Sequence, residues 1–444
     1  MGARVEPQRP PIADAAVERV VDGVLGIVRT LRDASVEPNC PDIFVCGAQA
    51  ANTSVYFPGP CNAQNSGAGL TPREARLSAV GETVERYCSA SYDRDELRFG
   101  SWRSLEGAPA LGPDAFALFH PSQAEALGRY SAFDADTPLA WMEGFSLTHR
   151  VRAWLPATQV FLPYHPAGAE KGDAPIGPAY SSGLSAGSNP VEALYHGLCE
   201  LIERDAFMAM WMNRLPLPEV DLRGDPELSR LYDEVFARDG LEYRLLDATT
   251  DVGVPAIFCL IVDHAFSPPL ACIGGSARLS ASAAATKAML EAAHTCQWAR
   301  TLRSDRRYRD DFADVRGFDD HVALHASGQV LDSLDFLRRG DPGRDVTELP
   351  EIAVDSFAEG TRWIVDRLRA LGMEAFAADL TTPDVAEVGF HVARAMVPGL
   401  IPLHAGHAVR PLGHPRLYDV ARRMGYDTRT RTLEDMNPVP HPFP

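Results

Sequence analysis

The sequence predicts an α+β fold. Its predicted helices and strands come in blocks, not as regular βαβ units. Apolar residues make up 45% of the chain and charged residues 23%, the balance of a packed globular protein rather than a disordered one. Its 444 residues amount to about three domains' worth of material at ~150 residues each, enough for a large core.

Residues 1–15 are Pro-rich and expected to be loose. Residues 16–33 mix helical spacing with a Gly-interrupted apolar run, and 42–58 read as extended. A helix is predicted over 71–90, with Thr71 at the cap, Pro72 in the first helical position and Glu74 three after the cap. The stretch 138–164 reads as strands around a polar turn. A Gly/Ser segment from Ser181 to Asn189 opens a second helix over 190–212, where Asn189, Pro190 and Glu192 repeat the cap logic. A surface helix is expected at 226–239. Strands YRLLDAT, VPAIFCLIVD and LACIGGSA follow, and the last feeds an Ala-rich helix over 282–300. Residues 304–355 are the least periodic and are expected to form a peripheral insertion. A helix near 357–371 and strands near 374–379 and 389–397 complete the core. The remainder reads as a Pro- and Arg-rich tail ending NPVPHPFP.

Composition excludes several function classes. A net charge of −18 lacks the basic footprint that nucleic-acid binding requires. The only lysines are Lys171 and Lys287, and neither lies in a GxxxxGK[ST] loop, so any ATP site must work without a P-loop lysine. No apolar run approaches a membrane span, and the N-terminus has no signal-peptide core. The cysteines (Cys40, Cys46, Cys61, Cys88, Cys199, Cys259, Cys272, Cys296) form no CxxC pair, which points to reduced thiols in a cytoplasmic protein.

The segment Glu82-Thr-Val-Glu85-Arg86 recurs as Glu200-Leu-Ile-Glu203-Arg204. Helical geometry puts Ser78, Glu82 and Glu85 in one stripe. It puts Glu192, His196, Glu200 and Glu203 within roughly 80° of one another. Such acids repel on a helix face, and a solvated face with weak ion pairs is the ordinary explanation. Here both helices are otherwise apolar, so the carboxylates are expected to be buried and to need a cation. Mg2+ takes oxygen ligands of this kind, and arginines can hold phosphate oxygens bidentately. Lys287 and Glu291 offer a further pair on the third helix.

In order, these elements are LSAVGETVERY, then GLSAGSNPVEALYHGLCELIERDAF, then a basic residue four before a glutamate. Together they resemble the YcaO family of ATP-dependent enzymes over roughly residues 60–444. The ending Pro440-His-Pro442-Phe-Pro444 resembles the PxPxP tail of its azoline-forming cyclodehydratases, the D proteins of thiazole/oxazole-modified microcin biosynthesis. The resemblance implies a YcaO-like fold with mixed and antiparallel sheets, packed helices and an ATP site between helices. Residues 1–60 would be a lead-in, 61–444 the catalytic domain and 437–444 a Pro-rich tail reaching toward the active site. Glu82, Glu85, Glu200 and Glu203 are implied metal ligands. Ser78, Arg86, Ser185, Ser188, Asn189, Glu192, Arg204 and Lys287 are implied nucleotide contacts. Three departures stand out: Lys287 where the family often has Arg, Ser188 where Asn is common, and Ala68 where Lys is frequent.

The implied reaction uses ATP and Mg2+. A Cys, Ser or Thr side chain of a ribosomally made precursor peptide attacks the preceding carbonyl carbon. The oxyanion is phosphorylated, and loss of phosphate leaves a thiazoline or oxazoline. His196, Glu291 and the terminal carboxylate of Pro444 are the candidate bases. The alternatives are a YcaO enzyme forming thioamides or amidines, and a non-catalytic docking scaffold of the same complex. Only about 60 residues precede the match, too few for a leader-binding domain, so a separate E1-like (ocin-ThiF-like) partner is expected. The resemblance also implies a homodimer and, as a further partner of the pathway, a flavin-dependent azoline dehydrogenase. His404-Ala-Gly-His407, with His414 beyond, fits no standard metal spacing and is expected to pack or turn. The tail arginines (Arg410, Arg416, Arg422, Arg423, Arg429, Arg431) are expected to pair with acids of the body.

Overall fold

The computed structural model describes residues 14–444 apart from 36, 106, 117–118, 129, 131 and 341–342. The N-terminal third contains α1 (Asp14–Val20), β1 (Val28–Asp33), β2 (Phe44–Ala50), β3 (Gln64–Gly69), α2 (Pro72–Ala90) and β4 (Arg98–Ser101). The middle contains β5 (Pro138–Ser146), β6 (Val151–Pro156), α3 (Ala157–Val160), β7 (Leu184–Gly187), α4 (Pro190–Asn213), β8 (Val220–Asp221) and α5 (Pro226–Leu231). Next come β9 (Leu241–Asp247), β10 (Ala256–Asp263), β11 (Leu270–Ala277), α6 (Ala281–Leu302), α7 (Phe318–Ala326) and β12 (Arg344–Asp345). The chain closes with α8 (Phe357–Ala370), β13 (Phe376–Asp379), α9 (Pro383–Val388), β14 (His391–Met396) and α10 (Pro415–Arg423).

The fold is α+β. Three sheets are antiparallel: β1-β2-β3, β11-β10-β9, and β4-β5-β13-β14-β7 with β6 on β5. The short β8–β12 pair is parallel. Strands β1 and β2 precede residue 61 and share a sheet with β3. Strands β10 and β11 are buried along their whole length. Phe258, Leu260 and Val262 face the cluster around α4, while Ile257, Cys259 and Ile261 face that around α6, the period-2 alternation of a strand covered on both sides.

One local unit is used three times. A strand of small residues (β3, β7, β11) runs into a polar cap and then a long helix (α2, α4, α6). Thr71 closes a capping box with Glu74, Asn189 accepts from the Val191 and Glu192 N–H groups, and Ser280 accepts from the Ala283 N–H. Glycine lets each helix lie on its strand. A Cβ on Gly67 would come within 2.2 Å of the Ala79 nitrogen, and one on Gly187 within 2.7 Å of the Ala193 nitrogen.

Several sequence expectations need correction. The helical spacing of 16–33 yields a helix only to Val20, and Val28–Asp33 is a strand paired with β2. Gly23 and Gly26 interrupt the helix, and β-branched residues then favour the sheet. The α-form of the 226–239 helix ends at Leu231 and gives way to a wider turn, Tyr232–Phe236. The tail is not all loop. His414 caps α10, and Leu417, Val420 and Ala421 bury its inner face, a periodicity obscured by the arginines. Within 304–355, α7 buries His321, Val322, Leu324 and His325, so this segment joins the packed body. All eight cysteines are free and buried.

Candidate active site

The acids converge from three helices. On α2, Arg86 lies 3.7 Å from Glu82 and 3.5 Å from Glu85. On α4, Arg204 lies 3.3 Å from Glu200 and 3.4 Å from Glu203. The two ExxER segments therefore adopt the same local geometry, one arginine between two carboxylates. On α6, Lys287 is paired with Glu291.

The pairs leave the acids under-compensated. Burial pushes the Glu85 carboxyl up to about 8; Arg86 opposes this, while Glu200 and Glu82 add to it. Burial likewise lifts Glu203 to about 7 against Arg204, with Glu200 and Glu291 adding repulsion. Glu82 is raised by burial, against Arg86 and with Glu291 and Glu200 adding to it. Burial also acts on Glu291, but Lys287, His294 and Arg204 outweigh it and bring its carboxyl down to about 2. Acids on α2, α4 and α6 thus feel one another across helices, which three separate solvated faces would not do.

A divalent cation fits this deficit. Four carboxylates offer hard oxygen ligands of the kind Mg2+ takes, usually alongside phosphate oxygens. Arg86 keeps a buried Nε without a hydrogen-bond partner, donor capacity that a phosphate oxygen can use.

The other expected nucleotide contacts, and the candidate base His196, are placed as follows. Ser78 lies on α2, half-buried, against Gly67 of β3. The Ser185 hydroxyl donates to the Ala193 carbonyl. Ser188 donates through its N–H (2.9 Å) and its hydroxyl to Glu192. Asn189 serves as the cap of α4. His196 lies 3.8 Å from Glu192 and edge-on to Phe357. Apart from Ser78, these residues brace the start of α4, N-terminal to its ExxER turn.

The tail returns to the acids. Arg204 donates to the Pro444 main-chain oxygen at 3.4 Å, and its guanidinium lies over the Phe443 ring, 4.5 Å from the centroid. Phe443 is buried against Phe207 and Phe258, worth about 1.5–3 kcal/mol by its area. Upstream, Trp211 donates to the Val439 carbonyl (3.0 Å), His325 to the Pro440 carbonyl (2.8 Å) and His321 to the His441 carbonyl (2.8 Å). These bonds hold the Pro-rich tail along its length.

Sequence reasoning missed Arg394 on β14. It is 4% exposed, donates to the Gln159 and Ser181 carbonyls, and acts on Glu85 and Glu200. The available signal was a lone arginine in the apolar run HVARAM, which must find partners if buried. Arg278, just after β11, acts on Glu203 and was also missed. A cleft of about 440 Å3, lined by Leu371, His414 and Arg423, includes none of the clustered acids.

A family model described as YcaO cyclodehydratase, ATP- and Mg2+-binding, matches residues 66–401. The chain belongs to the YcaO family. The family's ATP and Mg2+ fit the acids and arginines assembled here. A protein of Methanothermobacter thermautotrophicus is 28% identical over 340 residues, covering 76% of this chain and 81% of its own. A heterocyclase solved in complex with substrate and cofactor superposes with TM-score 0.79 at 24% identity, covering 100% of this chain and 59% of its own. The heterocyclase TruD gives 0.64 at 25% identity, covering 84% of this chain and 52% of its own. The YcaO protein of Methanopyrus kandleri bound with AMPPCP and Mg2+ gives 0.63 at 21% identity, covering 89% of this chain and 93% of its own. The chain thus spans little more than half the length of the two heterocyclases. Among the described residues, no helix is long and apolar enough to cross a membrane.

Proposed function

We propose that this YcaO protein is an ATP-dependent cyclodehydratase. It converts Cys, Ser or Thr of a ribosomally made precursor peptide to thiazoline or oxazoline by phosphorylating the backbone amide oxygen. The observation that carries this reading is the tail: its PxPxP ending lies against Arg204, the arginine that pairs with Glu200 and Glu203.

The residues divide the work. Glu82, Glu85, Glu200 and Glu203 would hold Mg2+, which when bound offsets charge on the transferring phosphoryl group. Arg86 and Arg204 bind phosphate oxygens, and Lys287 supplies a further positive charge. Arg394 keeps Glu85 and Glu200 from repelling each other unopposed. Pro444, held by Arg204, is one of the three candidate bases. His196 and Glu291 are each already paired with a side chain of their own helix. Substrate recruitment falls to a separate E1-like leader-binding protein, and oxidation to azoles to a flavin-dependent dehydrogenase.

The test is mass spectrometry of a Cys-, Ser- and Thr-containing precursor incubated with the chain, the leader-binding protein, ATP and Mg2+. Loss of one water per ring, with ADP and phosphate released, is expected. Oxygen-to-sulfur exchange in the product would identify a thioamide-forming enzyme instead. Glu85→Gln and Glu203→Gln should each cut product formation at least ~100-fold, and unchanged formation would refute a catalytic role for the acids. Ring formation at full rate by the chain alone would remove the partner from the scheme.

A further inference from the structure

We propose that His321, His404 and His441 bind one divalent transition-metal ion of the zinc class, and that this ion pins the C-terminal tail to the body. The proposal does not rest on the reaction assigned above.

The three residues come from α7, from the segment after β14 and from the tail, and they are 0%, 1% and 0% exposed. One ring nitrogen of each lies within 4.8 Å of the others. The His321 and His441 rings stack at 3.8 Å and 12°, and His404 stands edge-on to His441 at 4.7 Å.

Hydrogen bonding fixes two tautomers. His321 Nδ1 faces the His441 carbonyl at 2.8 Å, and His441 Nε2 faces the His404 carbonyl at 2.9 Å. A carbonyl only accepts, so both nitrogens carry hydrogen. In a neutral imidazole the other nitrogen is then a bare lone pair. His321 Nε2 and His441 Nδ1 are those lone pairs, and neither has a hydrogen-bond partner; nor does either ring nitrogen of His404. The Ala405 carbonyl also acts on the His321 ring, without a normal hydrogen bond to Nε2.

Buried acceptors without donors are costly, and a cation would satisfy all three at once. A ring N–H donated to a backbone carbonyl is the usual way a metal-ligating histidine is oriented. Three nitrogens with no carboxylate select Zn2+ and its neighbours over Mg2+. Bonds of about 2.05 Å put tetrahedral ligand nitrogens roughly 3.3 Å apart, so the nitrogens must close by up to about 1.5 Å, and one of the stacked His321 and His441 rings must turn until both in-plane lone pairs meet at one point. A water or similar small ligand would take the fourth position. His441 lies between Pro440 and Pro442, three residues before Pro444, so the ion would set how the last residue meets Arg204.

The experiment uses the full chain, purified without a histidine tag and dialysed against metal-free buffer. Elemental analysis should find about one zinc-class ion per chain. Replacement by Co2+ should give the intense visible absorption of four-coordinate, nitrogen-ligated cobalt, which the carboxylates around Glu203 would not produce. His404→Ala should lower bound metal about tenfold or more and expose the tail to carboxypeptidase. The wild-type chain decides the matter even if that variant fails to fold. Retention of less than about a tenth of an ion per chain after incubation with Zn2+ would overturn the site, leaving a packing cluster. Full retention with an unchanged cobalt spectrum in folded His404→Ala would overturn it equally.

Discussion

Two of the buried carboxylates of helix α4, Glu203 and Asp205, lie two residues apart and therefore face roughly opposite sides. Asp205 accepts from Arg416 Nε and Nη2, both at 2.8 Å, and from the Ile401 N–H at 2.9 Å. Arg416 continues to Asp251 at 2.6 Å. Burial pushes on Asp251, but Arg416 and Arg423 hold its carboxyl below the ordinary range. Glu203 has a looser 3.4 Å contact with Arg204, which Glu200 shares, and its carboxyl is lifted to about 7. A charge with its hydrogen bonds complete belongs to the architecture; one left short is free to take a cation.

The largest expected effect tests this contrast directly. Asp205→Asn leaves Arg416 buried with a lost partner and should cost about 3–5 kcal/mol of stability, read from the urea midpoint. Glu203→Gln removes a carboxyl whose charge the fold disfavours, and should leave Mg2+-free stability at neutral pH unchanged or raised. Equal losses from both would erase the distinction.

The next effect is in pH. Glu85 and Glu203 titrate near 8 and 7 in the fold, against an ordinary 4.5. The folded chain therefore binds more protons than the unfolded chain between those values. Stability from these groups is full below 4.5 and is lost as pH rises toward 8, by up to about 1.4 kcal/mol per pH unit for each group. Buried histidines, whose rings burial holds below the ordinary 6.5, oppose this trend below that pH, so the melting temperature without metal should fall from about pH 6.5 to 8, and Mg2+ with ATP should flatten the slope. A pH-independent melting temperature over that range would show that burial does not raise these carboxyls.

The smallest effect concerns the start of the same helix. Asn189→Ala removes two cap acceptances and should cost about 1 kcal/mol. If Asn189 only caps, the KM for ATP stays constant; a rise in KM without loss of stability would move Asn189 into the nucleotide site.

Much of the site was legible because helical geometry turns spacing into a face. ExxER, read twice, put Glu82, Glu85, Glu200 and Glu203 beside their arginines before any fold was known. The caps at Thr71 and Asn189 were legible for the same reason, since capping is local. Arg394 was not, because its burial depends on β14 lying between β7 and β13. The strand before each helix was only partly visible. Short runs of Gly, Ser and Ala read as turns, and only pairing partners make them strands.

By itself the sequence determined the elements whose causes are local: capped helices, acidic stripes and the proline-rich ending. Tertiary structure alone decided which of these meet. It brought α2, α4 and α6 into one electrostatic neighbourhood and seated Pro444 on Arg204. It also gathered His321, His404 and His441 from segments up to 120 residues apart. Sequence spacing carries no distance between residues so far apart, because packing, not the helical period, sets where they lie.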